Sequence, residues 1–132
     1  MCEEDRNRVG AICWTDLTVD NADEIKEFYK EVIGWTVSPV DMGGYSDFSM
    51  GAPDIGAPVA GICHARGTNA DLPRQWLVYI TVENLGRSVE RCTGMGGKIL
   101  VSPREMGPHG RYCVIQDPAG AVAALIQPPP QT

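Results

Sequence analysis

The chain has 132 residues, 43% of them hydrophobic and 21% charged, with a formal net charge of −6 and a pI of about 4.8. That length supports one domain with a real core rather than two independent ones. The acidic balance, with Lys and Arg scattered along the chain, argues against nucleic acid as a partner.

No apolar run reaches the roughly 18 residues of a membrane span, so no membrane partner is expected. The charged start Met1-Cys2-Glu3-Glu4-Asp5-Arg6-Asn7-Arg8 leads into no signal-type stretch, and the expected location is cytoplasmic. The 5 cysteines, Cys2, Cys13, Cys63, Cys92 and Cys113, are odd in number and lack C-x-x-C spacing. They are read as reduced, mostly buried thiols rather than a disulfide framework or a zinc site.

In chain order, residues 10–19 alternate as a strand with two partly buried faces. Asp20 or Asn21 then offers a side-chain oxygen to a helix start, with Asp23 and Glu24 favoured by the helix dipole. Ile25, Phe28, Tyr29 and Val32 fall at i, i+3, i+4 and i+7, predicting one apolar stripe against a sheet; Gly34 ends the helix. Residues 35–40, 45–50 and 57–65 are three more strands, parted by the turn formers Gly43-Gly44 and Gly51-Ala52-Pro53-Asp54. Residues 66–74 read as a polar linker. A fifth strand at 75–82 precedes a helix capped by Asn84, with Leu85, Val89 and Cys92 inward, closed by Gly94-Met95-Gly96-Gly97. Strands at 98–101, 111–116 and 121–127 follow, the last two joined by the turn Asp117-Pro118-Ala119-Gly120. Residues 128–132 form a Pro-rich tail that cannot join a sheet.

The two halves repeat. Val19-Asp20-Asn21 returns 63 residues later as Val82-Glu83-Asn84, and Gly34, Asp54, Val59, Ala60 and Ile62 return as Gly97, Asp117, Val122, Ala123 and Leu125. Two copies of one β-α-β-β-β unit follow. The expectation is an α+β fold: a single domain over 10–127, with module one at about 10–65 and module two at about 75–127.

Asp20 with the helix ending Glu31-Val32-Ile33-Gly34-Trp35, then Val82-Glu83-Asn84, then residues 110–121 from Gly110-Arg111-Tyr112 to Gly120-Ala121, together resemble the glyoxalase/bleomycin resistance/dioxygenase proteins of the vicinal oxygen chelate superfamily. The resemblance implies paired β-α-β-β-β units forming a cleft, usually in a homodimer. Such folds host lyases, epimerases, dioxygenases and thiol transferases, as well as proteins that only sequester a drug. Metal-dependent members carry ligands on the first and last strand of each unit. Those positions fall here on Trp14, Gly61, Leu77 and Ala124, none of which offers a donor to a divalent ion. No metal and no other cofactor is expected.

Asp16 lies two residues after Trp14, on the same strand face, and is a candidate base or the partner of an Arg. Tyr79, 63 residues on, is a candidate hydrogen-bond donor to a ligand or an ordinary buried tyrosine. His109, in Gly107-Pro108-His109-Gly110, is a candidate acid or base or a solvated turn residue, and Arg111 is an anion holder or a surface ion-pair member. His64 lacks a third ligand for a metal. Two functions stay open. The first is a binding module in which Trp14, Phe48, Met50, Leu77, Tyr79 and Arg111 enclose a small apolar or aromatic, possibly oxygenated molecule. The second is a lyase or isomerase related to lactoylglutathione lyase, with Asp16 or His109 transferring a proton.

Overall fold

The computed structural model describes residues 8–130. Residues 1–7 of the charged N-terminal segment read above, including Cys2, and the last two residues of the Pro-rich tail lie outside the described residues. The elements in chain order are β1 (Ile12–Val19), α1 (Ala22–Ile33), β2 (Thr36–Asp41), β3 (Ser46–Gly51), β4 (Pro58–His64), β5 (Trp76–Thr81), α2 (Leu85–Gly94), β6 (Lys98–Glu105), β7 (Arg111–Gln116) and β8 (Val122–Gln127). Short 3-10 turns lie at Gly67–Asn69 and Gly107–His109. The β-α-β-β-β order therefore occurs twice, and the fold is α+β as expected. No helix among the described residues is long and apolar enough to cross a membrane.

Contacts divide the chain into two compact units: Thr15–Trp76, and residues 8–14 together with 77–130. The division does not fall at the repeat boundary, because Trp76 packs with the first unit and the start of β1 with the second. Gly10 N donates to Thr81 O at 2.8 Å and Thr81 N to Ala11 O at 2.9 Å.

In the first unit β3 is antiparallel to β2 and β4, and β4 is parallel to β1. Leu17, Ala22, Phe48, Met50 and Ile62 form its core, with Ile25, Tyr29, Trp35 and Trp76 packed against them. Burial of each large side chain contributes about 1.5–3 kcal/mol. Trp76 meets Tyr29 edge-on at 5.2 Å and Trp35 at 5.8 Å, and its Nε1 donates to the Tyr29 hydroxyl at 3.1 Å.

Two expectations for α1 need correction. Neither Asp20 nor Asn21 supplies a side-chain cap. Asn21 takes a non-capping conformation and only its carbonyl accepts, from Glu24 and Ile25 N, while the Asp20 carboxylate pairs with Arg74 at 2.9 Å. The apolar stripe also divides: Ile25 and Tyr29 reach the core, but Phe28 and Val32 are exposed. The C-terminus agrees with the sequence, since Gly34 takes the left-handed conformation at φ 89° and its N–H bonds Lys30 O. Residues 66–74 are more than a linker, because Leu72 is buried and Arg74 donates to Ala70 O and Leu72 O.

In the second unit β7 is antiparallel to β6 and β8, and β8 is parallel to β5. Leu85, Cys113 and Leu125 form the core beneath α2, joined by Ile80, Val82, Val89 and Ile115. The Asn84 side chain caps α2 by accepting from Arg87 N at 3.0 Å, and Gln127 Oε1 takes Leu85 N at 2.7 Å. Strand β6 runs to Glu105, beyond the expected end at Val101. It pairs only with β7 within this unit, and register shifts along it accommodate Pro103. The turn after β7 closes on the Asp117 carboxylate, which accepts from Ala119 N and Ala121 N at 2.8 and 3.0 Å.

Candidate functional site

Strand alternation separates each sheet into a helix-side face, holding the core just described, and an opposite face. In the second unit Ile80, Leu125 and Cys113 belong to the helix side. The register pairs Tyr79 with Ala124, Ala124 with Val114, and Tyr112 with Ile126, so these residues share the opposite face with Leu77 and Thr81. That face is apolar and aromatic, with Tyr79 only 6% and Tyr112 only 9% exposed and their ring centroids 6.3 Å apart. The Cys13 thiol donates to Tyr79 O at 3.5 Å, tying the start of β1 to it.

In the first unit the register pairs Asp16 with Gly61, Gly61 with Ser49, and Thr18 with Cys63, on the face away from Leu17, Phe48 and Ile62. Phe48 opposite Ile62 sets Asp47 beside Cys63. Burial first, then the charges of Asp16 and Asp47 and a hydrogen bond to Asp47, push the Cys63 thiol far above its usual range. It stays protonated and is no nucleophile. Asp47, itself buried, also accepts from His64 N at 2.9 Å and lies 3.1 Å from His64 Nδ1; His64 Nε2 is 3.4 Å from the exposed Asp23 carboxylate. Tyr45 meets the His64 ring edge-on at 5.6 Å, and the Arg66 guanidinium lies 3.8 Å above Tyr45.

The residues singled out from sequence thus part company. Leu77 and Tyr79 share one face, and Trp14 belongs to the same unit. Phe48 and Met50 do not line a binding face: both are in the α1 core, Met50 with no exposure, because their strand positions match Ile62 and not Gly61. Arg111 does not share a face with Tyr79 either. It alternates with Tyr112, faces Gln127 on the α2 side, and lies 3.5 Å from Glu105 as an exposed ion pair. His109 is exposed in the 3-10 turn of the β6–β7 hairpin, where Met106 N bonds Gly110 O. Sequence reasoning missed Asp47 and Tyr112. The signal was the strand register, which changes the repeat offset at the third strand from 63 to 65 residues and hides both positions from a fixed-offset comparison.

Trp14, Gly61, Leu77 and Ala124, the positions that the resemblance gives to metal ligands, carry an indole, no side chain and two aliphatic groups, none of them a donor to a divalent ion. Among the described residues no three His, Cys, Asp or Glu side chains group as a metal centre requires.

Two β-α-β-β-β units with this register define a protein of the vicinal oxygen chelate architecture. The model of the Glyoxalase/Bleomycin resistance protein/Dioxygenase superfamily matches residues 11–125, and the chain belongs to that superfamily. CFP32 of Mycobacterium tuberculosis, provisionally named a glyoxylase, is 26% identical over 132 residues, a match covering 95% of this chain and 47% of CFP32. The anthracycline biosynthesis protein DnrV of Streptomyces peucetius is 30% identical over 127 residues, covering 88% of this chain and 46% of DnrV. The chain thus spans about half the length of the curated relatives it matches. The crystal structure of methylmalonyl-CoA epimerase from Mycobacterium tuberculosis shares the fold, with a TM-score of 0.57, 16% identity and 95% of each chain covered.

Proposed function

We propose that the protein binds a small aromatic or apolar, oxygenated molecule on the Leu77, Tyr79 and Tyr112 face of its second unit, without a metal at the family's ligand positions. The observation that carries this reading is the pair of tyrosines, both more than nine-tenths buried and 6.3 Å apart on the face turned away from the α2 core. Two phenol rings there give an aromatic ligand edge or offset contacts together with a polar handle. The name of DnrV, tied to anthracycline biosynthesis, supports an aromatic, oxygenated ligand class. The protein acts as a homodimer in this reading, as the resemblance implied.

A second reading has one observation of its own. Asp16 and Asp47 both act on the Cys63 thiol, so two carboxylates converge on one sheet face, and Asp16 keeps part of its surface open. That arrangement suits proton transfer on an oxygenated substrate by Asp16.

A thermal-shift screen with polycyclic phenols, quinones and CoA thioesters, followed by product analysis of each hit, tests both. Hits weakened by Tyr79→Phe and Tyr112→Phe with no product formed support binding alone. Turnover abolished by Asp16→Asn with binding retained establishes the enzyme. Hits unaffected by either tyrosine substitution overturn the proposed face.

A further inference from the structure

We propose that Arg104 extends the tyrosine face of the second unit into a site for the carboxylate of an aromatic acid, so that the ligand is anionic. Strands β6 and β7 start in step, with Lys98 opposite Gln116 and Ile99 opposite Ile115. Continued unbroken, that register would set Ser102 against Tyr112. Two shifts, one between Ile99 and Val101 and one between Val101 and Arg104, set Arg104 there instead. Directly opposed residues of an antiparallel pair share a face, so Arg104 stands on the side of Tyr112 and Tyr79. Bulges that re-aim a side chain in this way are over-represented next to active sites. The first unit supplies the comparison. There β2 runs beside β3 without a shift, and Val40 stands opposite Asp47, which takes the place of Tyr112 in that unit.

The charges around the face point to an anion. In a chain of net charge −6, strands β5 to β8 carry a single carboxylate, Glu105, and the register turns it to the α2 side, 3.5 Å from Arg111. The charges that these strands leave on the tyrosine side are the cations Lys98 and Arg104. Among the described residues the Arg104 side chain has no ion pair or hydrogen bond, whereas Arg74 is paired with Asp20, Arg111 with Glu105, and Arg66 lies over Tyr45. A guanidinium without a counter-ion offers its planar fork to both oxygens of a carboxylate. Arg104 stands one strand spacing, roughly 5 Å, beyond Tyr112, so an acid carried on the ring system falls within its reach. The assignment rests on the reading that the tyrosine face holds the ligand, and adds the ligand's charge.

Titration calorimetry at neutral pH with hydroxynaphthoate and its uncharged methyl ester tests it, with circular dichroism confirming the fold of each variant. The wild type is expected to bind the acid about tenfold more tightly than the ester. Arg104→Gln should lose that preference while binding the ester as the wild type does, and Arg111→Gln should keep it. Tyr79→Phe/Tyr112→Phe should weaken both probes, which reports the face independently of its charge. Should Arg104→Gln fail to fold, Arg104→Met, which keeps the apolar stem without the charge, takes its place. Equal affinity for acid and ester in the wild type, a preference retained by the folded Arg104 variant, or an equal loss in Arg111→Gln overturns the inference and leaves the tyrosine face standing; the cation then only guards the free edge of β6. Binding of neither probe, or ester binding that the double tyrosine variant leaves unchanged, overturns the ligand face itself.

Discussion

Tyr79 and Tyr112 stand with ring centroids 6.3 Å apart and planes inclined by 39°, and the residues at the matching strand positions of the first unit are Asp16 and Asp47. Phe48 faces Ile62 as Cys113 faces Leu125, which makes Asp47 the counterpart of Tyr112. One scaffold therefore presents two aromatic phenols on one copy of a face and two carboxylates on the other. The same backbone positions have been given opposite chemistry, and the ligand and proton-transfer readings divide along that line.

Replacing the ring at Tyr112 tests how far that face is a packed core. Tyr112→Ala is expected to lower the unfolding free energy by about 3–5 kcal/mol, as for other buried aromatic truncations. Tyr112→Phe keeps the ring and is expected to cost about 1 kcal/mol. Urea denaturation of both variants measures the difference, and equal losses would place the stabilising contribution in the hydroxyl rather than the ring.

Asp47 serves His64 N, the His64 ring and the Cys63 thiol at once. Asp47→Ala leaves those partly buried groups without their acceptor and is expected to cost about 1–3 kcal/mol. Asp23→Ala removes only an exposed carboxylate 3.4 Å from His64, with an expected loss of under about 1 kcal/mol. Comparable losses in equilibrium unfolding would contradict the central position given to Asp47.

The buried Cys113 and the partly buried Cys63 predict alkaline behaviour. Burial pushes Cys113 up from 9.0 to about 11, a folded value above the unfolded one. Its stabilising contribution is therefore complete below the unfolded value and is lost as pH rises toward about 11. Thermal melting temperature should fall across that interval, and the fall should shrink in Cys113→Ala. Cys63 and Cys113 should resist thiol reagents at pH 8 in the native state and react on unfolding; mass mapping of native labelling at either residue would reject this.

Gly110 holds φ at +104°, and a Cβ there would collide with Gln127 O. Gly110→Ala is expected to destabilise by at least about 1–3 kcal/mol, displacing the start of β7 beside Tyr112. Gly120, in the left-handed region at φ +95° but with only the Gln116 side chain nearby, should tolerate Ala better. The ordering of the two melting temperatures is the check.

What the sequence by itself determined was the repeat and the order of elements. Hydrophobic period, Gly34, Asn84 and the Asp117 turn act within a few residues of themselves, so they were legible without any long-range contact, and β7 was located to the residue. The tertiary structure alone decided which face each strand residue occupies. Met50 looked like a binding residue and is core because β3 pairs with β4 in a register that aligns it with Ala60 and sets Phe48 against Ile62. Tyr112 and Asp47 were invisible because the offset between the copies changes by two residues at that strand, and Phe28 and Val32 look inward on a helical wheel but are left exposed. Register and helix rotation are set by side chains far apart in sequence, and a one-residue slip reverses every face.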